Sequence, residues 1–130
     1  MIISLLIVDD EPDVVKLFQR KFRRELRSEE YVMHFAQSGE EALQILDAGI
    51  EPRVMLILSD INMPGMSGVD LLKETKSRWP QLPVAMITAY GDPENRRKAD
   101  EAGAAHFVTK PIDFADLKLK IEEMVQLPGA

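Results

Sequence analysis

Five apolar residues stand in succession at 54–58 and stop abruptly at Ser59 and Asp60. A short run with no polar alternation reads as a strand covered on both faces, the pattern of a parallel sheet. Parallel neighbours cannot be joined by tight hairpins, so each strand must be followed by a crossover, usually a helix. The rest of the chain supplies such pairs. Strand-like runs at 2–8, 31–36, 84–87 and 106–109 each precede a stretch that starts and stops as a helix does.

The first crossover repeats Val14, Phe18, Phe22 and Leu26 every four residues, with Leu17 beside them, and predicts one helix to about Arg27. Pro12 suits its first turn. Its outer face carries Lys16, Arg20, Arg23, Arg24 and Arg27, either a solvated face or a docking face. A second helix opens at Ser38 with Glu40 and Glu41 and closes at Gly49. Pro64, Gly65 and Gly68 bend the loop after Asp60. A third helix follows over about 67–79, with Val69, Leu72 and Lys76 marking its turns. A fourth, about 93–102, has only Ala99 and Ala102 as anchors, so it should be weakly held. The last carries Phe114, Leu117, Ile121, Met124 and Val125 on one face, with Leu119 pointing away.

The alternation implies an α/β fold, a doubly wound five-stranded parallel sheet with helices on both faces. Right-handed crossovers place every strand's carboxyl end on one edge. Those ends deliver Asp9 and Asp10, a polar segment at Gln37 and Ser38, Asp60, Thr88 and Lys110. Sites of open α/β sheets are built on that edge.

Composition removes other classes. The 130 residues suffice for one core, and the net charge of −6 disfavours binding of nucleic acid or an anionic membrane by bulk charge. Without cysteine there is no disulfide, thiolate nucleophile or Cys-based zinc site, and His34 and His106 are too few for a histidine cluster. The apolar start runs into Asp9-Asp10-Glu11, lacks a basic flank and is too short to span a bilayer, so a soluble cytoplasmic protein is expected.

Taken singly, each edge residue has an ordinary reading. Asp9, Asp10 and Asp60 are turn and helix-start residues, Thr88 is a β-branched strand end, and Lys110 is solvated. Together they form a phosphoryl-transfer set. Three carboxylates on adjacent loops call for a hard cation with oxygen ligands, and Mg2+ suits a site with few protein ligands. Asp is a competent nucleophile toward phosphorus. Thr88 offers a hydroxyl donor and Lys110 a compact charge.

The segments Ile7-Val8-Asp9-Asp10-Glu11-Pro12, Ser59-Asp60-Ile61-Asn62-Met63-Pro64-Gly65, Thr88-Ala89 and Phe107-Val108-Thr109-Lys110-Pro111, in this order and spacing, resemble the receiver domain of two-component response regulators. The resemblance covers nearly the whole chain. It implies a (βα)5 flavodoxin-like receiver fold with strand order 2-1-3-4-5, a domain at 1–126 and a short tail at 127–130. It implies that Asp60 is the phosphoacceptor, with Thr88 and Lys110 sensing the phosphoryl group. It further implies that Asp10, Asp60 and the main-chain carbonyl of Asn62 ligate Mg2+ directly, with Asp9 acting through water. Thr88 and Phe107 fall at the switch positions; Phe107 lacks the hydroxyl of the Tyr also common there. Ser67 stands where an acidic residue is frequent.

The implied partners are a sensor histidine kinase or phosphotransfer protein, and a second copy or output partner on the face made by 93–126. Direct nucleic-acid and membrane contacts are not expected. The implied role is a signalling phosphoacceptor that assists its own phosphorylation and dephosphorylation, not an enzyme, in a single-domain regulator or an excised receiver. Asn62 and Tyr90, each two residues beyond a site residue, are expected to flank the approach of water to the phosphoryl group, with Tyr90 shielding it.

Three competing readings fit less well. A flavodoxin-like cofactor binder needs a phosphate loop rich in Ser, Thr or Gly where this chain has Asp9-Asp10-Glu11-Pro12. An aspartate-nucleophile phosphatase resembles an Asp-x-Asp arrangement, and here the second position is Asn62. A receiver-like interaction module that works without phosphorylation has no need of the complete acid, Thr88 and Lys110 set.

Overall fold

Apolar runs become strands and periodic stretches become helices in the computed structural model, which describes residues 2–89 and 91–125. The order is β1 (Ile3–Val8), α1 (Asp13–Lys21), α2 (Arg23–Arg27), β2 (Tyr31–Ala36), α3 (Gly39–Ala48), β3 (Leu56–Asp60), α4 (Gly68–Arg78), β4 (Val84–Ala89), α5 (Pro93–Glu101), β5 (His106–Lys110) and α6 (Phe114–Val125). The five strands form one parallel sheet in the order β2-β1-β3-β4-β5, as expected.

Period-two alternation sends neighbouring residues of each strand to opposite faces. Leu5, Ile7, Leu56 and Leu58 pack with Phe18 and Phe22 of the first helical stretch and with Leu117 and Ile121 of α6. Leu6, Val8 and Ile57 pack on the other face with Ala42 of α3, Val69 and Leu72 of α4, and Ala99 of α5. On the first face Phe18, Phe22, Phe114 and Tyr31 form an aromatic cluster, with Phe18 edge-on to Phe114 at 5.3 Å between centroids.

Two boundaries and one core position differ from expectation. The helix predicted to run unbroken to Arg27 divides at Phe22, where φ is −108° and ψ 20°. The i→i−4 bonds Phe22 N to Phe18 O and Leu26 N to Phe22 O persist across the break, so the hydrophobic period survives it. β3 begins at Leu56, two residues into its apolar run. In α4 it is Thr75, not Lys76, that enters the core, and its hydroxyl donates to Leu71 O at 2.7 Å. A helical Thr that bonds back one turn needs no outside partner. Of the two anchors expected for α5, Ala99 is fully buried, whereas Ala102 is the helix C-cap and only partly buried; Leu119 is exposed, as expected.

Candidate functional site

The parallel register aligns the strand ends that build the site. Val8 pairs with Ser59, Asp60 with Ile87, and Ala89 with Lys110. Asp9 follows β1 directly, and its N–H donates to Ala36 O at 3.0 Å, so its position is fixed by the sheet. Asp60 is the last residue of β3, and Ile61 N–H donates to Ile87 O. Asp9 and Asp60 are buried, and Asp10 is the more open of the acidic residues here. One carboxylate oxygen from each of Asp9, Asp10 and Asp60 lies within 4.8 Å of the other two.

Lys110 Nζ reaches this cluster from the end of β5 and lies 3.3 Å from Asp60 Oδ2. Asp60 Oδ1 accepts from the N–H of Asn62 at 3.2 Å, and Asp9 Oδ1 accepts from the N–H of Glu11 at 2.9 Å. Burial raises the Asp9 carboxyl above its usual range; the Glu11 N–H opposes this and the Asp60 charge adds to it. One lysine facing three carboxylates leaves an excess of negative charge. The donors are all hard oxygens, and the strand ends hold them together, so they fit a hard divalent cation such as Mg2+.

Thr88 is buried at the end of β4, and its hydroxyl donates to Ala89 O at 3.3 Å. Phe107 lies on the adjacent strand opposite Met86, on the same face of the sheet as Thr88. It is half-buried against the α3–α4–α5 side, and the Arg96 guanidinium sits over its ring at 4.6 Å. Tyr90 and the segment 126–130 lie outside the described residues.

Several contacts that shape the site carried no expectation. Ser67 caps α4: its hydroxyl accepts from Asp70 N–H at 3.1 Å, and Asp70 accepts back from Ser67 N–H. The Ser-x-x-Asp spacing before an apolar stretch is the legible signal for that box. Gly68 lets α4 begin against the backbone of Asp60 and Ile61; an added Cβ would lie 2.3 Å from Asp60 O. Asp92 and Asn95 bond the Asn62 side chain from the start of α5. No local pattern reports a partner 30 residues away.

The family model for the response regulator receiver domain matches residues 5–122. Over 125 residues the chain is 38% identical to the response regulator protein PilR of Pseudomonas aeruginosa, covering 94% of this chain and 26% of that protein. It is 37% identical to the regulatory protein AtoC of Escherichia coli over 123 residues, covering 95% of this chain and 25% of AtoC. The chain therefore spans about a quarter of the length of these relatives. The solved response regulator receiver domain protein from Clostridium thermocellum superposes with a TM-score of 0.85 at 26% identity, covering 96% of this chain and 95% of that one. Among the described residues no helix is long and apolar enough to cross a membrane. With an acidic pocket at the carboxyl edge of a 2-1-3-4-5 sheet, the chain belongs to the response regulator receiver domain family, the signalling phosphoacceptors of two-component systems.

Proposed function

We propose that Asp60 accepts a phosphoryl group from a sensor histidine kinase or phosphotransfer protein, with Mg2+ held by Asp10, Asp60 and the Asn62 carbonyl. Asp9 acts on the metal through water. The observation that carries this reading is the cluster of Asp9, Asp10 and Asp60 oxygens with Lys110 Nζ 3.3 Å from Asp60. When bound, Mg2+ neutralises the carboxylates and the oxygens of the incoming phosphoryl group.

An Asp60 carboxylate oxygen attacks phosphorus, and the bond from phosphorus to the donor nitrogen breaks with its electron pair going to the donor. The Asn62 N–H on Asp60 Oδ1 leaves Oδ2, on the Lys110 side, as the nucleophilic oxygen. Lys110 then holds a phosphoryl oxygen as a point charge. Thr88 rotates its hydroxyl from Ala89 O to another phosphoryl oxygen, and Phe107 turns into the space it leaves. Phosphorylation thereby becomes a packing change on the face made by 93–126, which binds a second copy or an output partner.

The receiver reading assigns 1–126 to the domain and 127–130 to a tail. A groove lined by Asp9, Leu17, Arg20, Lys110 and Phe114 opens beside the acceptor, next to the basic face of α1 and α2, and supports docking of the donor there. The relatives' names describe regulators, in keeping with a regulatory output, and membership of the receiver family supports a cytoplasmic setting.

The test is intact-mass spectrometry after incubation with a small phosphodonor and Mg2+. We expect the mass of one phosphoryl group in the wild type and none in Asp60→Asn. Asp10→Ala should weaken a magnesium titration. Single-site labelling that persists in Asp60→Asn overturns the assignment.

A further inference from the structure

Asn62 has two separate engagements. Its backbone N–H donates to Asp60 Oδ1. Its carboxamide is tied to the start of α5: Nδ2 donates to Asp92 Oδ2 at 3.1 Å, and Oδ1 accepts from Asn95 Nδ2 at 3.1 Å. Asn95 Nδ2 also donates to Asp92 Oδ2 at 3.1 Å, which closes a triangle of three side chains.

The triangle is not an ordinary helix cap. Asp92 occupies the N-cap of α5, where an Asp usually accepts from a first-turn N–H. Here no first-turn N–H meets full hydrogen-bond geometry with its carboxylate, although the Asn95 N–H lies close to it. Its carboxylate accepts from two carboxamides instead. Because α5 buries only Ala99, few other contacts compete to place this end of the helix.

A carboxamide carries two donor hydrogens and an acceptor oxygen. Left free beside an acyl phosphate, it can bind a water and orient it for attack, since hydrogen-bond reach decides which group assists. Tied to α5 through one N–H and its oxygen, it is held in an orientation that withdraws it from that role. We propose that Asp92 and Asn95 are positioning residues that hold the Asn62 carboxamide against α5 and so lengthen the life of the phosphoryl group on Asp60. The proposal rests on the reading of Asp60 as the phosphoacceptor. In the step they slow, the oxygen of water attacks phosphorus and the bond to the Asp60 oxygen breaks. The electron pair returns to the carboxylate; one water proton goes to solvent and the other stays on phosphate.

The experiment labels the protein with a small phosphodonor and magnesium, removes the donor and follows decay by intact mass. Asp92→Ala and Asn95→Ala should each accelerate decay several-fold. Asp92→Asn, which keeps an acceptor oxygen for Asn62, should decay as the wild type does. In an Asn62→Ala background Asp92→Ala should have no further effect, which separates positioning from a general loosening of α5. Unchanged or slower decay in both alanine variants overturns the proposal, and so does full acceleration that persists without the Asn62 carboxamide. Labelling with unchanged decay removes the proposal alone; absence of labelling in every protein removes the Asp60 reading and the proposal with it.

Discussion

Gly68→Ala introduces one methyl group at the first residue of α4, where the helix meets the strand that carries Asp60. That Cβ would lie 2.3 Å from Asp60 O, 2.7 Å from Ile61 Cα and 2.9 Å from Met86 Cε. Unstrained contacts between carbons lie near ~3.5–4.0 Å, so the backbones must part by about 1 Å. Met86 can rotate its methyl away, but the other two atoms are main chain, and Gly68 N–H is bonded to Ile61 O at 2.9 Å. Overpacking of this kind costs about 1–3 kcal/mol. The helix preference of Ala over Gly offsets about 1 kcal/mol at most, and less at a first turn. A net loss of about 1–2 kcal/mol remains. Unfolding entropy is about 2.1 cal/mol/K per residue, hence roughly 0.27 kcal/mol/K for this length, so Tm should fall by roughly 4–7 °C. The displaced atoms belong to the proposed phosphoacceptor and its neighbour, so labelling at Asp60 should also slow. Gly39→Ala is the control, because the three atoms nearest its Cβ all belong to the flexible Met66 side chain, with Sδ at 2.7 Å. Thermal unfolding and the labelling rate are the assays. A Gly68→Ala protein with the wild-type Tm and rate, or one no worse than Gly39→Ala, would refute the argument.

Three further outcomes follow from charge and packing. Burial opposes the charge on Glu25, but Lys118, bonded to it at 3.0 Å, outweighs this and lowers its pKa; that stability is present above 4.5 and lost as pH falls below it, so Lys118→Met should shift the urea midpoint near neutral pH and less in acid. Asp9, raised by burial above all, penalises the folded state at neutral pH, a penalty that fades as pH falls toward 3.8 and below; Asp9→Asn should raise Tm near pH 7 without Mg2+ and not in acid, while added Mg2+ should raise Tm more in the wild type. Beryllofluoride followed by amide NMR should shift Phe107 and residues 93–119; shifts confined to the pocket would leave Phe107 a static core aromatic.

The strand ends were legible because each apolar run stops at a polar residue with a chemical use, and a parallel sheet gathers such ends without further information. Asp9, Asp10, Asp60 and Lys110 meet for that reason. What escaped the sequence depends on atoms rather than on period. The break at Phe22 leaves the i→i−4 bonds in place, so no residue pattern announces it. Thr75 enters the core because its hydroxyl is satisfied inside the helix, which a scan for apolar residues passes over. Gly68 reads as one of two loop glycines, yet its cause is the approach of α4 to the Asp60 backbone. The Asn62, Asp92 and Asn95 triangle joins two loops whose shapes no local propensity specifies.

The same features explain why α5 is suited to respond. Elements that move in switching come from the weakly held part of a fold. Much of the polar bonding of α5 is local: Arg97 bridges Glu94 and Glu101 within the helix at 2.8 Å each. Two of its links outward run to the places where, on the proposed reading, the phosphoryl group acts. At its start, Asp92 and Asn95 hold the residue whose N–H sits on Asp60. One turn on, Arg96 covers Phe107, the aromatic beside Thr88. A phosphoryl group on Asp60 that draws Thr88 from Ala89 O and turns Phe107 inward removes the surface on which Arg96 rests. It also alters the charge next to Asn62. On the proposed reading both changes loosen or re-seat the first half of the same short helix, and neither requires the sheet to move. Because binding couplings are reciprocal, a partner that fixes α5 in either position must in turn change how tightly the site holds the phosphorylated state.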